Sequence, residues 1–237
     1  MVKIERTQPE PPELTEERLK DGGEYNIPAV NKQLYKDFHK KCYICGKPVV
    51  SEGYEIEHLK PHDRGKKRDL KFDWNNLFLS CCHCNSVKNC NQFKTNIIDC
   101  CSEDPEKLIR QEIFRGRITA CARKTAPNQE TAENTAKLIT ECYNSKTTYQ
   151  REISSESKRR ELKAMAISLC KKLRHYRQLR DCENRNETEF KVAETEVLNM
   201  ISKRSAYAGF LRTLVRDRLD MFPEFEKIVK VDPERGT

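Results

Sequence analysis

Residues 42–47, CYICGK, residues 54–63, YEIEHLKPHD, and residues 73–88, DWNNLFLSCCHCNSVK, decide how this chain folds. A Cys-x-x-Cys pair stands at each end, Cys42/Cys45 and Cys81/Cys84. Zinc favours four thiolates in a closed tetrahedron, and two such turns supply them. A closed site leaves no position for water, so the Zn²⁺ expected here is structural. It matters because a module of about 60 residues buries little core of its own. Cys82 is a rival ligand, but the two-residue gap favours Cys81 as the partner of Cys84.

Between the pairs the residues alternate. Tyr54, Ile56 and His58 share one face of a strand, and Glu55 and Glu57 share the other. Pro61 ends that strand. Val49-Val50 reads as a strand before it, with Ser51-Glu52-Gly53 as the turn. Leu77 to Leu79 reads as a second strand after a polar loop, and Cys84 to about Phe93 as a helix. The pattern is strand, loop, strand, helix, with a cysteine knuckle at each end.

His58 is the candidate general base, because a near-neutral imidazole suits proton removal from water. Asn76, with Asn75 as its rival, is placed to orient the loop or the imidazole. Asn85 offers a side-chain carbonyl to a hard cation such as Mg²⁺ or Mn²⁺, with Glu57 as a carboxylate ligand or, equally, a structural carboxylate. One or two protein ligands imply weak binding of that ion, completed by water and phosphate. His62 is a candidate for the same metal or for phosphate. Arg64, Lys66, Lys67 and Arg68 in the loop, and Lys88 one turn beyond Asn85, are candidate nucleic-acid contacts or solvated charges. His83 is expected exposed and inert, and Trp74 packed beneath the loop.

The 237 residues carry a net charge of +8. Residues 38–97 hold eleven Lys/Arg against six Asp/Glu, so positive charge gathers around the candidate site and favours a polyanionic partner. No apolar run approaches ~18 residues, so no membrane span is expected. The first residues have no apolar core of a secretory signal, and a cytoplasmic location is the default expectation. Twelve cysteines in such a chain read as metal ligands plus buried thiols rather than a disulfide framework.

Residues 1–30 read as an extended proline-rich segment with a short helix from Glu13 to Lys20, and residues 31–99 as the zinc-knuckle module, with a helix from Leu34 to Lys41. Residues 100–237 read as a helical domain, a candidate docking surface. Its helices are expected from Asp104-Pro105, over Thr131 to Tyr143, Tyr149 to Leu179, Glu187 to Met200, Ala206 to Leu219 and Pro223 to Val229. In the long helix Leu162, Met165, Ala166, Leu169, Leu173 and Tyr176 recur at three- and four-residue steps, and its many basic residues read as a solvated face. The fold class is α+β, mainly α: a small ββα-metal module followed by an all-helical region.

Glu57-His58, Asn76-Leu77 and Cys81-x-x-Cys84-Asn85-x-x-Lys88, with Cys42-x-x-Cys45 upstream, resemble the HNH family of His-Me finger nucleases. The resemblance covers about residues 38–95. It implies His58 as base, Asn76 as the middle Asn and Asn85 as the last metal-binding position, where other members carry His. A wider resemblance takes in KIERTQPEPPEL (3–14), IEHLKPH (56–62), DWNNLFLSCCHCNSVKN (73–89), IIDCCSEDPEKLI (97–109) and TAKLITECYN (135–144). These are similar to the PtuB-type nucleases of Septu anti-phage defence, found also in some retron systems. That likeness implies a PtuA-type ATPase partner, in retron systems beside a reverse transcriptase with its RNA/DNA, and an effector restrained until infection. DNA is the default substrate and RNA, including tRNA, the alternative. A zinc-stabilised nucleic-acid-binding module without catalysis would need the cysteines and basic residues but neither His58 nor Asn85. A redox role for the Cys-x-x-Cys pairs lacks a thioredoxin-like strand–helix context.

Overall fold

The computed structural model describes residues 1–50 and 53–231; the turn expected at Ser51-Glu52 lies outside the described residues. Helices α1 (Pro12–Leu19) and α2 (Pro28–Asp37) each open on proline, whose missing amide has no helical partner to lose in the first turn. Helix α2 therefore starts earlier than Leu34. It stops at Asp37 because His39 and Lys40 take φ of 51° and 59°, outside helical space.

The module is a two-stranded antiparallel sheet backed by a helix. Strand β1 (Tyr54–His58) pairs with β2 (Leu77–Cys81), in a register that sets Tyr54 opposite Cys81 and His58 opposite Leu77. The loop between them carries the short helix α3 (Arg68–Lys71). Helix α4 (Cys82–Lys88) follows β2 without a break, and Asn91–Phe93 adds a 3₁₀ turn. Val49-Val50 forms no strand; pairing there is a single bridge between Lys41 and Pro48.

The first knuckle docks through its backbone. The Tyr43 amide donates to the Leu79 carbonyl at 3.0 Å, and the Tyr207 amide to that of Gly46 at 2.9 Å. Gly46 has φ of +74°, and a Cβ there would lie 3.1 Å from the Tyr207 Cα. Both facts demand glycine.

The later region is helical apart from one hairpin. Helix α5 (Pro105–Leu108) leads into β3 (Ile109–Phe114) and β4 (Arg117–Ala122), then α6 (Gln129–Asn144), α7 (Tyr149–Arg180), α8 (Glu187–Ile201), α9 (Ala208–Arg216) and α10 (Glu226–Val229). The expectation of an all-helical region is corrected at β3–β4. Arg115 and Gly116, with φ of 47° and 77°, form the two-residue link that suits the twist of paired strands. Helices α6, α7 and α8 are capped by the side chains of Asn128, Thr148 and Asn186, which satisfy otherwise orphaned amides.

Two apolar cores result. The first joins the N-terminal segment, the knuckle module, the hairpin, α6 and Leu162 of α7. The second gathers Leu169, Leu173 and Tyr176 of α7 with α8, α9 and α10. Helix α7, 32 residues and so about 48 Å long, runs from one core into the other. Among the described residues no helix is long and apolar enough to cross a membrane.

The N-terminal segment is bound to the module. Arg6 sits 4.9–5.5 Å from the ring centres of Phe38, Trp74 and Phe78 and donates to the Trp74 and Leu77 carbonyls at 2.7 and 2.8 Å. The buried Trp74 indole donates to the Thr7 carbonyl at 2.9 Å. The guanidinium thereby ties the segment to the turn that enters β2.

Candidate active site

The four knuckle sulfurs meet. Cys42, Cys45, Cys81 and Cys84 are buried, with their Sγ atoms all within 4.8 Å of one another. Zinc bonded at ~2.3 Å to each of four tetrahedral sulfurs needs S···S separations of about 3.8 Å, so the set fits the ion. Cys82 is exposed and stands outside the group.

Lys158 of α7 is 4% exposed beside this cluster. Burial works against its charge, but the thiols of Cys45, Cys84, Cys81 and Cys42 prevail and raise its pKa. Four thiolates and Zn²⁺ sum to a net −2, and a buried ammonium offsets part of it. This part of the basic run is therefore not solvent-facing. The signal was in the sequence: Ser155, Lys158, Leu162, Ala166 and Leu169 follow the buried seam of α7. His83, expected exposed and inert, is half-buried, and its Nε2 donates to the Cys142 carbonyl of α6 at 2.9 Å. Burial pushes its pKa down to about 4.

A cleft of about 750 Å³ opens beside β1. Tyr25, Glu57, His58, His62, Arg64 and Lys67 line it together with Asn85, Lys88 and Lys94. His58 is 8% exposed at the end of β1. Its Nε2 lies 3.0 Å from the Lys71 carbonyl oxygen. A carbonyl only accepts, so the Nε2 proton is fixed there and Nδ1 carries the free lone pair. Burial, with the nearby His62, Lys88 and Lys71, outweighs the Lys71 bond and pushes the His58 pKa down to about 4. The imidazole is neutral at pH 7.

Asn76 holds the loop, not the ring. Its Nδ2 donates to the Lys60 and Leu70 carbonyls, both at 2.9 Å, and its Oδ1 accepts from the Lys60 amide at 2.7 Å. Both ends of the loop are thus tied, and the Lys71 carbonyl is fixed against His58. Asn75 is exposed and bonds Gln8 at 2.8 Å.

Glu57 and Lys88 depart from the roles read for them. Lys88 is 2% exposed. Its ammonium pairs with Glu57 Oε1 at 2.5 Å and donates to the His58 and Leu59 carbonyls at 3.1 Å. All three donors are used, so it is no free phosphate contact. The second Glu57 oxygen accepts from the Tyr43 hydroxyl at 2.7 Å. Burial raises the Glu57 pKa against the pull of Lys88. Glu57 can join a cation only by releasing Lys88.

Asn85 is half-buried, and its side chain contacts the Glu55 carboxylate. Glu55 shares the Glu57 face of β1, so the strand alternation already carried this neighbour. The Asn85 Nδ2 meets the Glu55 carboxylate, while its Oδ1 accepts from the Asn89 Nδ2 at 3.3 Å; turned about, the amide oxygen and the carboxylate would suit a hard divalent ion. Among the described residues, the cysteines are the only close group of three or more His, Cys, Asp or Glu ligands. The site thus fits a weakly held ion with one or two protein ligands. His62 Nδ1 accepts from the Gly65 amide at 2.8 Å, and its ring centre is 4.2 Å from that of His58.

The loop cations divide. Arg64 and Lys66 are exposed, and their side chains make no hydrogen bond or ion pair among the described residues. Lys67 pairs with Asp63 at 2.7 Å. Arg68 donates to the Arg18 carbonyl at 2.8 Å and to that of Lys20, so it fastens the N-terminal segment. Lys94 is a cleft cation that the sequence reading passed over.

Residues 42–90 match the family model described as HNH endonuclease. Over those residues the chain is similar to that family, which is generally nucleolytic. No curated protein and no solved structure matches the chain.

Proposed function

We propose that this protein is a metal-dependent endonuclease that hydrolyses phosphodiester bonds of nucleic acid, DNA by default. The observation that carries the reading is the buried neutral His58, with Nε2 held at 3.0 Å by the Lys71 carbonyl and Nδ1 left as base on a cation-lined cleft. His58 takes the proton of the attacking water. Arg64 and Lys94 of the cleft, with the exposed loop cation Lys66, attract and align the phosphate backbone, which carries no base information. Asn76 keeps the loop and the base in place. Asn85, with Glu57 once freed from Lys88, would hold Mg²⁺ or Mn²⁺. Such an ion supplies charge stabilisation at the phosphoryl group and the leaving oxygen. His62 Nε2 is available to the phosphate or to the ion's water shell.

The wider resemblance, from KIERTQPEPPEL to TAKLITECYN, supports a finer reading. In it the protein is the nuclease effector of an anti-phage complex with a PtuA-type ATPase, in a Septu or retron setting. Residues 100–237 are the docking region in that reading.

Purified protein and His58→Ala are given plasmid DNA and total tRNA with Mg²⁺ or Mn²⁺, each with and without a co-purifying ATPase. Cleavage by the wild type alone supports the nuclease reading, and the degraded polymer identifies the substrate. Tight binding by both proteins without cleavage overturns it in favour of a binding module.

A further inference from the structure

The N-terminal segment reaches the cleft. After α1 the chain turns at Gly23, where a Cβ would stand 1.9 Å from the Glu17 carbonyl oxygen, so only glycine fits. The Gly23 amide donates to the Lys20 carbonyl at 3.2 Å, and the Glu24 amide to the Glu17 carboxylate at 2.9 Å. The Gly23 carbonyl accepts from the Lys71 ammonium at 2.7 Å. Lys71 is the residue whose own carbonyl holds His58. One residue thus fixes both the imidazole and the segment that crosses in front of it.

Tyr25 is what that segment delivers. Its ring stands edge to face with the His58 imidazole, centres 4.5 Å apart and planes at 81°. It meets His62 at 6.0 Å and 65°. The half-buried ring packs against the main core while lining the cleft. The Lys71 carbonyl fixes one ring nitrogen of His58 but leaves the ring free to tilt about that bond. A second aromatic ring packed perpendicular to it removes this freedom, and such pairs prefer the geometry seen here. The Tyr25 hydroxyl makes no hydrogen bond among the described residues, so the ring, not the oxygen, supplies the constraint.

We infer that Tyr25 is a positioning residue for His58, so the N-terminal segment is a working part of the active site. The inference rests on His58 being the base. It goes beyond the domain match, which begins at residue 42.

The test compares wild type, Tyr25→Phe, Tyr25→Leu and Tyr25→Ala, with His58→Ala as control, on supercoiled plasmid with Mn²⁺. Zinc content and the His58 ring-proton resonances are recorded for each. Tyr25→Phe keeps wild-type kcat and resonances. Tyr25→Leu and Tyr25→Ala lose kcat by on the order of 10²-fold, as misplacement of a reacting group does. Their KM stays within about threefold, since the cations that meet phosphate are unchanged, and zinc is retained. Wild-type kcat in Tyr25→Leu beside an inactive His58→Ala overturns the inference and leaves the nuclease reading standing. A Tyr25→Phe variant as slow as Tyr25→Ala also overturns it, by giving the role to the hydroxyl. If His58→Ala cuts as wild type does, the base reading itself fails. The ring-proton shifts then still report the contact, and their identity in wild type and Tyr25→Leu would refute it.

Discussion

The imidazole of His58 and the carbonyl of Lys71, thirteen residues apart in the chain, are joined by a 3.0 Å hydrogen bond at Nε2. This bond selects the tautomer of the imidazole, and the geometry of the loop is what makes the bond. Strand β1 brings His58 to the cleft, and Asn76 ties the loop so that the Lys71 carbonyl meets it.

The first prediction concerns that tautomer. Nitrogen-correlated NMR should show His58 protonated at Nε2 alone and still neutral at pH 6, because burial holds its pKa near 4 against an ordinary 6.5. Between those values the unfolded chain binds the proton and the native one does not. His58 therefore contributes stability that is full above about pH 6.5 and declines as pH falls toward 4. A His58 that charges near pH 6.5 would contradict this.

Asn76→Ala should lower stability by about 2–3 kcal/mol, since the Lys60 and Leu70 backbone groups lose buried partners. The cleavage rate should fall as well, because the Lys71 carbonyl is released. Urea denaturation and kcat on one substrate measure the two losses. Asn75→Ala, at the exposed neighbour, should change neither.

For the buried Glu57–Lys88 pair, Lys88→Met should cost about 3–5 kcal/mol by stranding a carboxylate away from water. Pairing it with Glu57→Gln should recover most of that loss. A double-mutant cycle in urea checks the coupling, and additive losses would place Lys88 back at the surface.

Lys158→Met should hasten zinc loss to a chelator, because it removes the cation beside the thiolates. Lys171→Met, at an exposed position of the same helix, should leave the release rate unchanged. Metal release followed with a zinc-sensitive dye separates the two.

The knuckles, β1, β2 and the long helices were legible because each rests on a local signal: cysteine spacing, strand alternation, a helical apolar seam. The hairpin β3–β4 was missed because Arg115-Gly116 is a weaker turn signal than Asn-Gly or Asp-Gly, and the surrounding segments read as helical. The site was legible in composition but not in pairing. Nothing in the spacing of Glu57 and Lys88 told that they would spend their charges on each other. Tyr25 gave no signal, since only the folded path of the N-terminal segment brings it to His58. Lys158 was hidden in a basic run although it sits on the seam of α7.

The central claim is that His58 supplies the base for phosphodiester hydrolysis, and chemical rescue tests it most directly. His58→Gly is assayed on the cleaved substrate under single turnover with Mg²⁺ or Mn²⁺, with and without free imidazole. The account predicts a variant that retains zinc, cuts at a small fraction of the wild-type rate and recovers as imidazole is added. Wild-type cleavage by His58→Gly without imidazole would contradict it.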